Sequence, residues 1–353
     1  MAKVGILGFA HGHVNTYCRV WREQPSLGVD PVAGWDHDPA RAEEAAAAHD
    51  VELCESPESL VGRDDIDSVV VGAETALHAE LVEAAASAGK AVVLQKPIAL
   101  TLDGADRIAA AVESAGVPFT MAWQMRVDPQ NLRMKELVES GELGRLFMVR
   151  RRHGLATHTW PRFADSWHAD PDLNRDIFAD DASHAIDFIL WLLGMPATVT
   201  AELGTLHDPR VPNDNGIAVF RYDDGTFAEV VCSFVCAAGE NTTEIVGEKG
   251  VVIQNYGDAP SANIPRPPGG IGLKWFLRET GEWTVSDLPD PKSQGERIAG
   301  LAGPLAEFLN GDRPPIADAR EGRAALHVVL ACYESAERGS RIAIGPGRRD
   351  REP

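Results

Sequence analysis

Residues 66–97 read IDSVVVGAETALHAELVEAAASAGKAVVLQKP, and this stretch decides the fold. It predicts a buried strand over Ile66–Gly72, a helix over Leu77–Ser87 that is capped by Gly89, and a second strand over Ala91–Leu94. Strands of continuous Val and Leu that are joined through a helix are typical of a parallel sheet with helical crossovers.

The same alternation extends to both sides of this stretch. The further predicted strands are Val4–Leu7, Val29–Trp35 and Val117–Ala122, and the further predicted helices are Val14–Glu23, Pro39–His49 and Leu102–Ser114. The pattern predicts an α/β domain over residues 1–123, a Rossmann-type, doubly wound parallel sheet.

After residue 123 the pattern changes to that of an α+β domain, predicted over residues 124–353. Its predicted elements are helices Leu132–Ser140 and Ser183–Leu193 and strand-like segments Leu146–Arg152, Thr198–Leu206, Gly216–Tyr222, Phe227–Cys236, Thr243–Val246 and Val251–Gln254. Gly and Asp in the turns favour a large, open, mainly antiparallel sheet, and its uncovered face predicts a homodimer or homotetramer. Residues 257–296 hold many Pro and Gly and are predicted to be irregular, whereas a final helix over 320–337 is expected to return to the core of the first domain.

The composition limits the classes of function. Of 353 residues, 44% are hydrophobic and 24% are charged, and the formal net charge is −20. This balance excludes wholesale disorder, and so acidic a surface repels nucleic-acid backbones and anionic membranes, so we expect a small-molecule partner. Scattered cysteines, the lack of a basic and apolar leader, and the lack of a membrane-length apolar run predict a cytoplasmic protein.

A dinucleotide fingerprint is expected between the first strand and the first helix. The turn reads Gly8-Phe9-Ala10-His11-Gly12-His13, with Ala10 and His13 at positions where the fingerprint has glycine. Asp36 ends the second predicted strand, where a carboxylate accepts hydrogen bonds from the adenosine ribose. With Asp38 nearby and no Arg expected beside it, a 2′-phosphate would be repelled, which favours NAD over NADP. The alternative, His11 and His13 as a metal pair, lacks a carboxylate or Cys at ligand spacing, so no metal is predicted.

The motifs of the chain resemble those of the glucose–fructose oxidoreductase/inositol dehydrogenase/MocA (Gfo/Idh/MocA) family almost from end to end. The matching segments are Ile66–Val71, Leu77-His78-Ala79-Glu80, Ala88-Gly89-Lys90, Gln95-Lys96-Pro97, Asp165-Ser166-Trp167, Asp180 with His184 and Asp187, Glu307-Phe308 and Gly322–Ser335. The resemblance implies an NAD(P)-dependent enzyme that oxidises or reduces a carbon of a sugar, cyclitol or related polyol.

The resemblance also implies three catalytic residues, Lys96, Asp180 and His184. Moving a hydride from a secondary alcohol requires a base for the hydroxyl proton, which suits His184, while the Lys96 ammonium stabilises the developing alkoxide. If the turn is already helical, Asp180 shares a face with His184, so its carboxylate is expected either to orient the imidazole or to bind a neighbouring hydroxyl. Taken singly, a surface lysine, a helix-capping Asp and an ordinary buried His remain the alternatives.

The resemblance assigns binding residues as well. Besides the turn and Asp36, the cofactor residues are Ala73, Glu74, Thr75, His78, Gln95, Lys96, Pro97, Gln124 and Arg126. The substrate residues are Lys96, Gln124, Arg126, His158, Trp167, His168, Asp180 and His184. Three features depart from the family or stay open: Glu74-Thr75 replaces a Pro-Asn pair, Gln95 replaces Glu, and Arg126 would alternatively form an interdomain salt bridge.

Three functions are compatible with these residues. The first is an NAD-dependent oxidoreductase that acts on a sugar or polyol hydroxyl. The second retains NAD and uses transient oxidation for elimination, epimerisation or glycoside cleavage. The third is a non-catalytic NAD- or sugar-sensing protein, which the presence of Lys96, Asp180 and His184 disfavours.

Overall fold

The computed structural model describes residues 1–238, 241–255 and 269–345, and their contacts divide the chain into two compact units. The first unit consists of Met1–Val127, Pro171–Asn174 and Ile298–Leu326. The second consists of Asp128–Asp170, Arg175–Arg297 and the chain from His327 onward. Each unit is therefore made of three separate segments of the chain. The boundary predicted between residues 123 and 124 stays a prediction.

The first unit is built on a parallel sheet, which confirms the Rossmann-type prediction. Its strands are β1 (Ala2–Leu7), β2 (Val29–Trp35), β3 (Glu52–Leu53), β4 (Ser68–Val71), β5 (Ala91–Leu94) and β6 (Phe119–Met121). They lie in the order β3-β2-β1-β4-β5-β6, so the chain reverses its direction of winding between β1 and β4. Ligands bind at the carboxyl ends of the strands at such a switch point in open α/β sheets.

Helices fill the crossovers between these strands. They are α1 (Gly12–Glu23), α2 (Pro39–His49), α3 (Pro57–Val61), α4 (His78–Ser87) and α5 (Leu102–Ala115). The Asp38 side chain caps α2 by accepting from the backbone N–H groups of Ala40 and Arg41, and Gly116 ends α5 in the left-handed conformation that favours glycine. The resulting core includes Ile6, Val70 and Val93, all fully buried.

The second unit is built on a nine-stranded mixed sheet. Its strands are β7 (Leu146–Gly154), β8 (Thr198–Gly204), β9 (Asn215–Arg221), β10 (Phe227–Ser233), β11 (Thr242–Gly247), β12 (Gly250–Asn255), β13 (Leu273–Leu277), β14 (Glu282–Val285) and β15 (Ile342–Ala343). The order is β14-β13-β12-β11-β7-β10-β9-β8-β15. The β7–β10 pair is parallel and the other pairs among the described strands are antiparallel, which confirms a mainly antiparallel sheet.

The prediction of irregular structure over 257–296 is wrong where this segment is described. The structure has two strands there, β13 and β14, which form a hairpin whose turn places Gly281 at φ +69°. Glycine tolerates this left-handed conformation, so it closes a hairpin here. The part of the prediction that falls on 257–268 lies outside the described residues.

The remaining α-helices of the described chain lie between β6 and β15 in sequence. They are α6 (Pro129–Glu139), α7 (Pro171–Asn174), α8 (Ser183–Leu193), α9 (Gln294–Ala299), α10 (Ala302–Leu309) and α11 (Ala319–Arg338). A π-helical turn, Phe178–Ala182, runs directly into α8. In the described part of the chain, no helix combines the length and the apolar character needed to cross a bilayer.

Candidate functional site

The turn between β1 and α1 passes very close to the end of the neighbouring strand. Gly8 has φ +90°, and a Cβ at this position would lie 2.4 Å from the backbone N and Cα of Ala73. The turn ends at His11, whose Nδ1 accepts from the backbone N–H of His13 at 3.4 Å, and α1 begins at Gly12. The helix therefore starts two residues before its predicted start, and its N-terminal N–H groups lie beside the switch point.

Asp36 lies directly after β2, and its carboxylate is held by the backbone on both sides. Oδ2 accepts from the N–H of Phe9 at 2.7 Å, and Oδ1 accepts from the N–H of Asp38 at 2.9 Å. Burial alone would raise the pKa of Asp36, but hydrogen bonds from Arg41, Phe9 and Asp38 hold it below its ordinary value. The carboxylate is therefore ionised at neutral pH.

The expectation that no Arg lies beside Asp36 is wrong. Arg41, in the first turn of α2, donates to Asp36 through Nε at 2.8 Å and through Nη2 at 2.7 Å. The same Nη2 donates to Oε1 of Glu74 at 2.8 Å. Glu74 lies 33 residues further along the chain, so only the fold brings it to Arg41.

The segments after β4 and β5 are joined to each other by buried side chains. The Nδ1 of His78 lies 2.9 Å from the carbonyl oxygen of Pro97, and its Nε2 lies 3.2 Å from that of Ala73. The Thr75 hydroxyl donates to Oδ1 of Asn174 at 2.7 Å. Asn174 was not predicted as a site residue, and its place in α7 gives no sequence signal for this contact.

Lys96 follows β5 and is buried, with 3% of its surface exposed. The Lys96–Pro97 peptide bond is cis. Gln95, which is fully buried, donates through Nε2 to the hydroxyl of Tyr17 at 3.2 Å. A buried ammonium therefore lies at the carboxyl end of a strand next to the switch point.

Gln124 and Arg126 follow β6 and differ in their surroundings. Arg126 donates to Oε1 of Glu321 at 2.5 Å, and both residues belong to the first unit, so this pair is not an interdomain salt bridge. Gln124 is 1% exposed, and neither end of its amide has a hydrogen-bond partner among the described residues. A buried polar group of this kind is costly unless a ligand or water satisfies it.

These residues fit a dinucleotide. The close approach at Gly8 and the start of α1 suit a pyrophosphate, the carboxylate of Asp36 suits ribose hydroxyls, and the buried amide of Gln124 suits a polar group of the bound molecule.

In the second unit a buried cluster joins the end of β7 to the π-helical turn. The Nε2 of His153 lies 2.8 Å from Oδ2 of Asp181, and the Nε2 of His184 lies 3.9 Å from Oδ1 of the same carboxylate. Burial lowers the pKa of His153 below its ordinary value, and the nearby Asp181 offsets only part of this effect. Neither His153 nor Asp181 was predicted from the sequence.

Asp180 pairs with His168, a contact that the sequence analysis did not predict. The Nδ1 of His168 lies 2.7 Å from Oδ2 of Asp180, whereas the carboxylate next to His184 is that of Asp181. The π-helical turn contains one more residue per hydrogen-bonded ring than an α-helix, so the side-chain phase predicted for an α-helix does not apply.

Aromatic rings surround His168. The Trp167 ring stacks on it with centroids 3.9 Å apart, and the Phe163 ring stacks with centroids 5.8 Å apart. His158 lies earlier in the same loop region, against His207, in a cavity of about 230 Å³ that Phe163 and Trp160 also line. The predicted substrate residues of this unit therefore fall into three neighbouring groups: His158, Trp167 with His168 and Asp180, and His184.

In the described part of the chain, no three His, Cys, Asp or Glu side chains are grouped so as to hold a metal ion. His11 and His13 contact each other edge to face, with ring centroids 4.4 Å apart.

The fold and the polar groups along the edge of its parallel sheet define a dinucleotide-binding oxidoreductase. The family model for the oxidoreductase family with an NAD-binding Rossmann fold matches residues 2–123, and that for the Gfo/Idh/MocA C-terminal domain matches residues 131–253. The chain belongs to the Gfo/Idh/MocA family, as its motifs predicted. It is an NAD(P)-dependent oxidoreductase, and NAD is its cofactor.

Relatives of known name cover most of the chain. Inositol 2-dehydrogenase 2 of Saccharopolyspora erythraea is 30% identical over 90% of this chain and 88% of its own length. Inositol 2-dehydrogenase of Burkholderia multivorans is 27% identical over 96% of this chain and 95% of its own length. A solved structure of levoglucosan dehydrogenase in complex with NADH and L-sorbose is 20% identical, with a TM-score of 0.83 over 97% of this chain and 98% of its own, which shows the fold.

Proposed function

We propose that this protein transfers a hydride between NAD and a secondary hydroxyl or ketone of a sugar, cyclitol or related polyol. The observation that carries the proposal is the buried ammonium of Lys96 at the carboxyl end of β5, next to the switch point of an NAD-binding sheet. The inositol dehydrogenases among the relatives support a polyhydroxylated ring as the substrate.

Bound NAD supplies the hydride acceptor, and side chains of this protein transfer the proton of the substrate hydroxyl. We assign to His184 the role of general base for the substrate hydroxyl, because an imidazole accepts a proton near neutral pH. The Lys96 ammonium stabilises the alkoxide that develops as the hydride leaves, or polarises the ketone in the reverse direction.

We assign substrate binding in the second unit to the loop before α8. The stacked rings of Trp167 and His168 offer an apolar face to the C–H groups of a sugar ring, and Asp180 offers a carboxylate to its hydroxyls. The remaining predicted contacts, Gln124, Arg126 and His158, complete the proposed set of substrate residues.

The experiment that tests the function follows two signals at once. Purified protein is incubated with NAD and a panel of cyclitols, hexoses, pentoses and anhydrosugars, while the absorbance of reduced nicotinamide and the mass of the product are recorded together. A dehydrogenase forms NADH and loses two hydrogens from the substrate in equal amounts. A changed product without NADH would instead support the NAD-retaining chemistry, and no product with any panel member contradicts the proposed substrate class.

We also propose that the protein forms a homodimer or homotetramer through the open face of the mixed sheet. Large apolar side chains are exposed on neighbouring strands of this face, with Ile217 at 48%, Val219 at 40% and Phe227 at 41%. On the same face the Arg150 guanidinium of β7 pairs with Glu229 of β10, so the face carries charged as well as apolar side chains. Light scattering at micromolar concentration should give a mass of at least twice the chain, and Phe227→Glu should lower it. A wild-type monomer would contradict this part of the proposal.

A further inference from the structure

One guanidinium is shared between two buried carboxylates at the edge of the parallel sheet. The side chain of Asp36 is fully buried, that of Glu74 is 2% exposed, and that of Arg41 is 26% exposed. Arg41 donates twice to Asp36 and once to Glu74. The imidazole of His37 lies on the same two carboxylates, 3.6 Å from Asp36 and 3.4 Å from Glu74.

Arg41 occupies half of the acceptor capacity of Asp36. A carboxylate has about four lone-pair sites, and Asp36 accepts from two backbone N–H groups and from two guanidinium N–H groups. The backbone bonds belong to the turns at Phe9 and Asp38 and are fixed by the fold. A ribose hydroxyl that donates to Asp36 must therefore take a site that Arg41 holds, so the guanidinium moves off Asp36 when the ribose binds.

The two forms of the cofactor differ in what they require of this arginine. NAD presents a 2′-hydroxyl that donates to a carboxylate, whereas NADP presents a 2′-phosphate that an Arg nearby accommodates. Arg41 lies where it meets that phosphate, but Glu74 competes for the same Nη2 group. Because Glu74 is buried, its carboxylate cannot turn to bulk solvent when a phosphate approaches, and its attraction for the guanidinium is weakly screened.

We propose that Glu74 sets the preference of this protein for NAD over NADP by holding Arg41, so that the guanidinium does not bind a 2′-phosphate. The inference rests on the proposed placement of the cofactor at Asp36. It assigns to Glu74, one of the residues at which the chain departs from its family pattern, the role of a selectivity residue that acts through Arg41.

Binding titrations test this role without relying on turnover. NADH and NADPH are titrated into the wild type, Glu74→Gln, Arg41→Ala and the double variant, and binding is read from the fluorescence of the bound reduced nicotinamide. Glu74→Gln should lower the dissociation constant of NADPH by about tenfold or more, because the freed Arg41 guanidinium can then donate charge-assisted hydrogen bonds to the phosphate. The dissociation constant of NADH should change by less than about threefold. The matched control is Glu83→Gln, which removes the acid of an exposed Arg107–Glu83 pair in the same unit.

The double variant separates the proposal from simple repulsion between Glu74 and phosphate. If Glu74 acts through Arg41, the double variant loses the gain in NADPH affinity, whereas a gain that persists without Arg41 overturns the proposal. A ratio of NADPH to NADH affinity that Glu74→Gln leaves within about twofold of the wild type also overturns it. A wild type that binds neither dinucleotide instead refutes the proposed function itself. Far-UV circular dichroism of each variant shows whether it is folded.

Discussion

The two sheets of this protein position their polar side chains in different ways. In the parallel sheet every strand points the same way, so the residues that follow β1, β2, β4 and β5 meet at one edge, where Gly8, Asp36, Glu74 and Lys96 lie. In the mixed sheet the polar cluster forms between the end of β7 and a π-helical turn. The topology of the parallel sheet brings the first set of residues together. The second set is positioned by the local backbone geometry of the π-helical turn.

The largest expected effect is on turnover, where one proposed residue from each unit is removed. Lys96→Ala and His184→Ala should each lower kcat by about 10²–10⁴-fold, because each removes a group that acts on the reacting oxygen. Steady-state kinetics on an active panel member measure this, and dinucleotide titration of His184→Ala should show nearly unchanged NAD affinity. Lys249→Ala, in an exposed turn, is the control. Unaltered turnover in either variant would remove that residue from the mechanism.

The next effect is on the parallel-sheet edge itself. Gly8→Ala should lower the free energy of unfolding by about 3 kcal/mol or more, because the added Cβ meets the backbone of Ala73 at 2.4 Å in a conformation that L-residues rarely adopt. Gly12→Ala is the matched control, since a Cβ there would meet no described atom within 4 Å apart from its chain neighbours and the backbone of its own helix. Urea denaturation measures both variants. Equal stability of the two variants would mean that the turn relaxes at little cost.

A smaller effect is expected from substitution of the neighbouring Asp180 and Asp181, one of which should change kinetics and the other stability. Asp181→Asn should lower the free energy of unfolding by about 1–3 kcal/mol, since His153 is fully buried against that carboxylate. Asp180→Asn should have its main effect on KM and kcat, because its partner His168 is 26% exposed and belongs to the proposed substrate loop. Urea denaturation and kinetics on both variants measure the contrast. The reverse assignment of effects would mean that Asp180, not Asp181, belongs to the packed cluster.

The smallest effect is a pH dependence of stability. The folded pKa of His153 is lowered, so below its unfolded pKa of about 6.5 the unfolded chain binds a proton that the folded chain does not. The free energy of unfolding should then fall with decreasing pH by up to about 1.4 kcal/mol per pH unit for this one group. His153→Gln should reduce that slope between about pH 7 and pH 5. Parallel urea titrations measure it, and equal slopes would mean that His153 takes up its proton while folded.

Much of the first unit is predictable from the sequence, because buried parallel strands are continuous apolar runs with helices between them. The observed strand β4 falls within the predicted strand Ile66–Gly72, and β5 has the predicted bounds Ala91–Leu94. The edge strand β3 was not predicted, since its two residues, Glu52 and Leu53, carry no pattern.

The contacts within the site are less predictable. Arg41 and Glu74 meet across 33 residues, and His153 and Asp181 meet across 28, distances at which no local periodicity gives information. The contact of Asp181 with His184 was also unpredictable, because no residue in Phe178–Ala182 marks a π-helical turn.

The parallel pairing of β7 with β10 has a consequence for how the second unit is made. Strand β7 comes first in the chain, yet its neighbours on both sides are β10 and β11, and the Arg150 side chain bonds partners 79 and 94 residues later. A nascent chain therefore carries this central strand with both edges bare until those partners leave the ribosome. Such long-range closure slows folding, so the mixed sheet should assemble later than the parallel sheet and expose its strands to aggregation for longer.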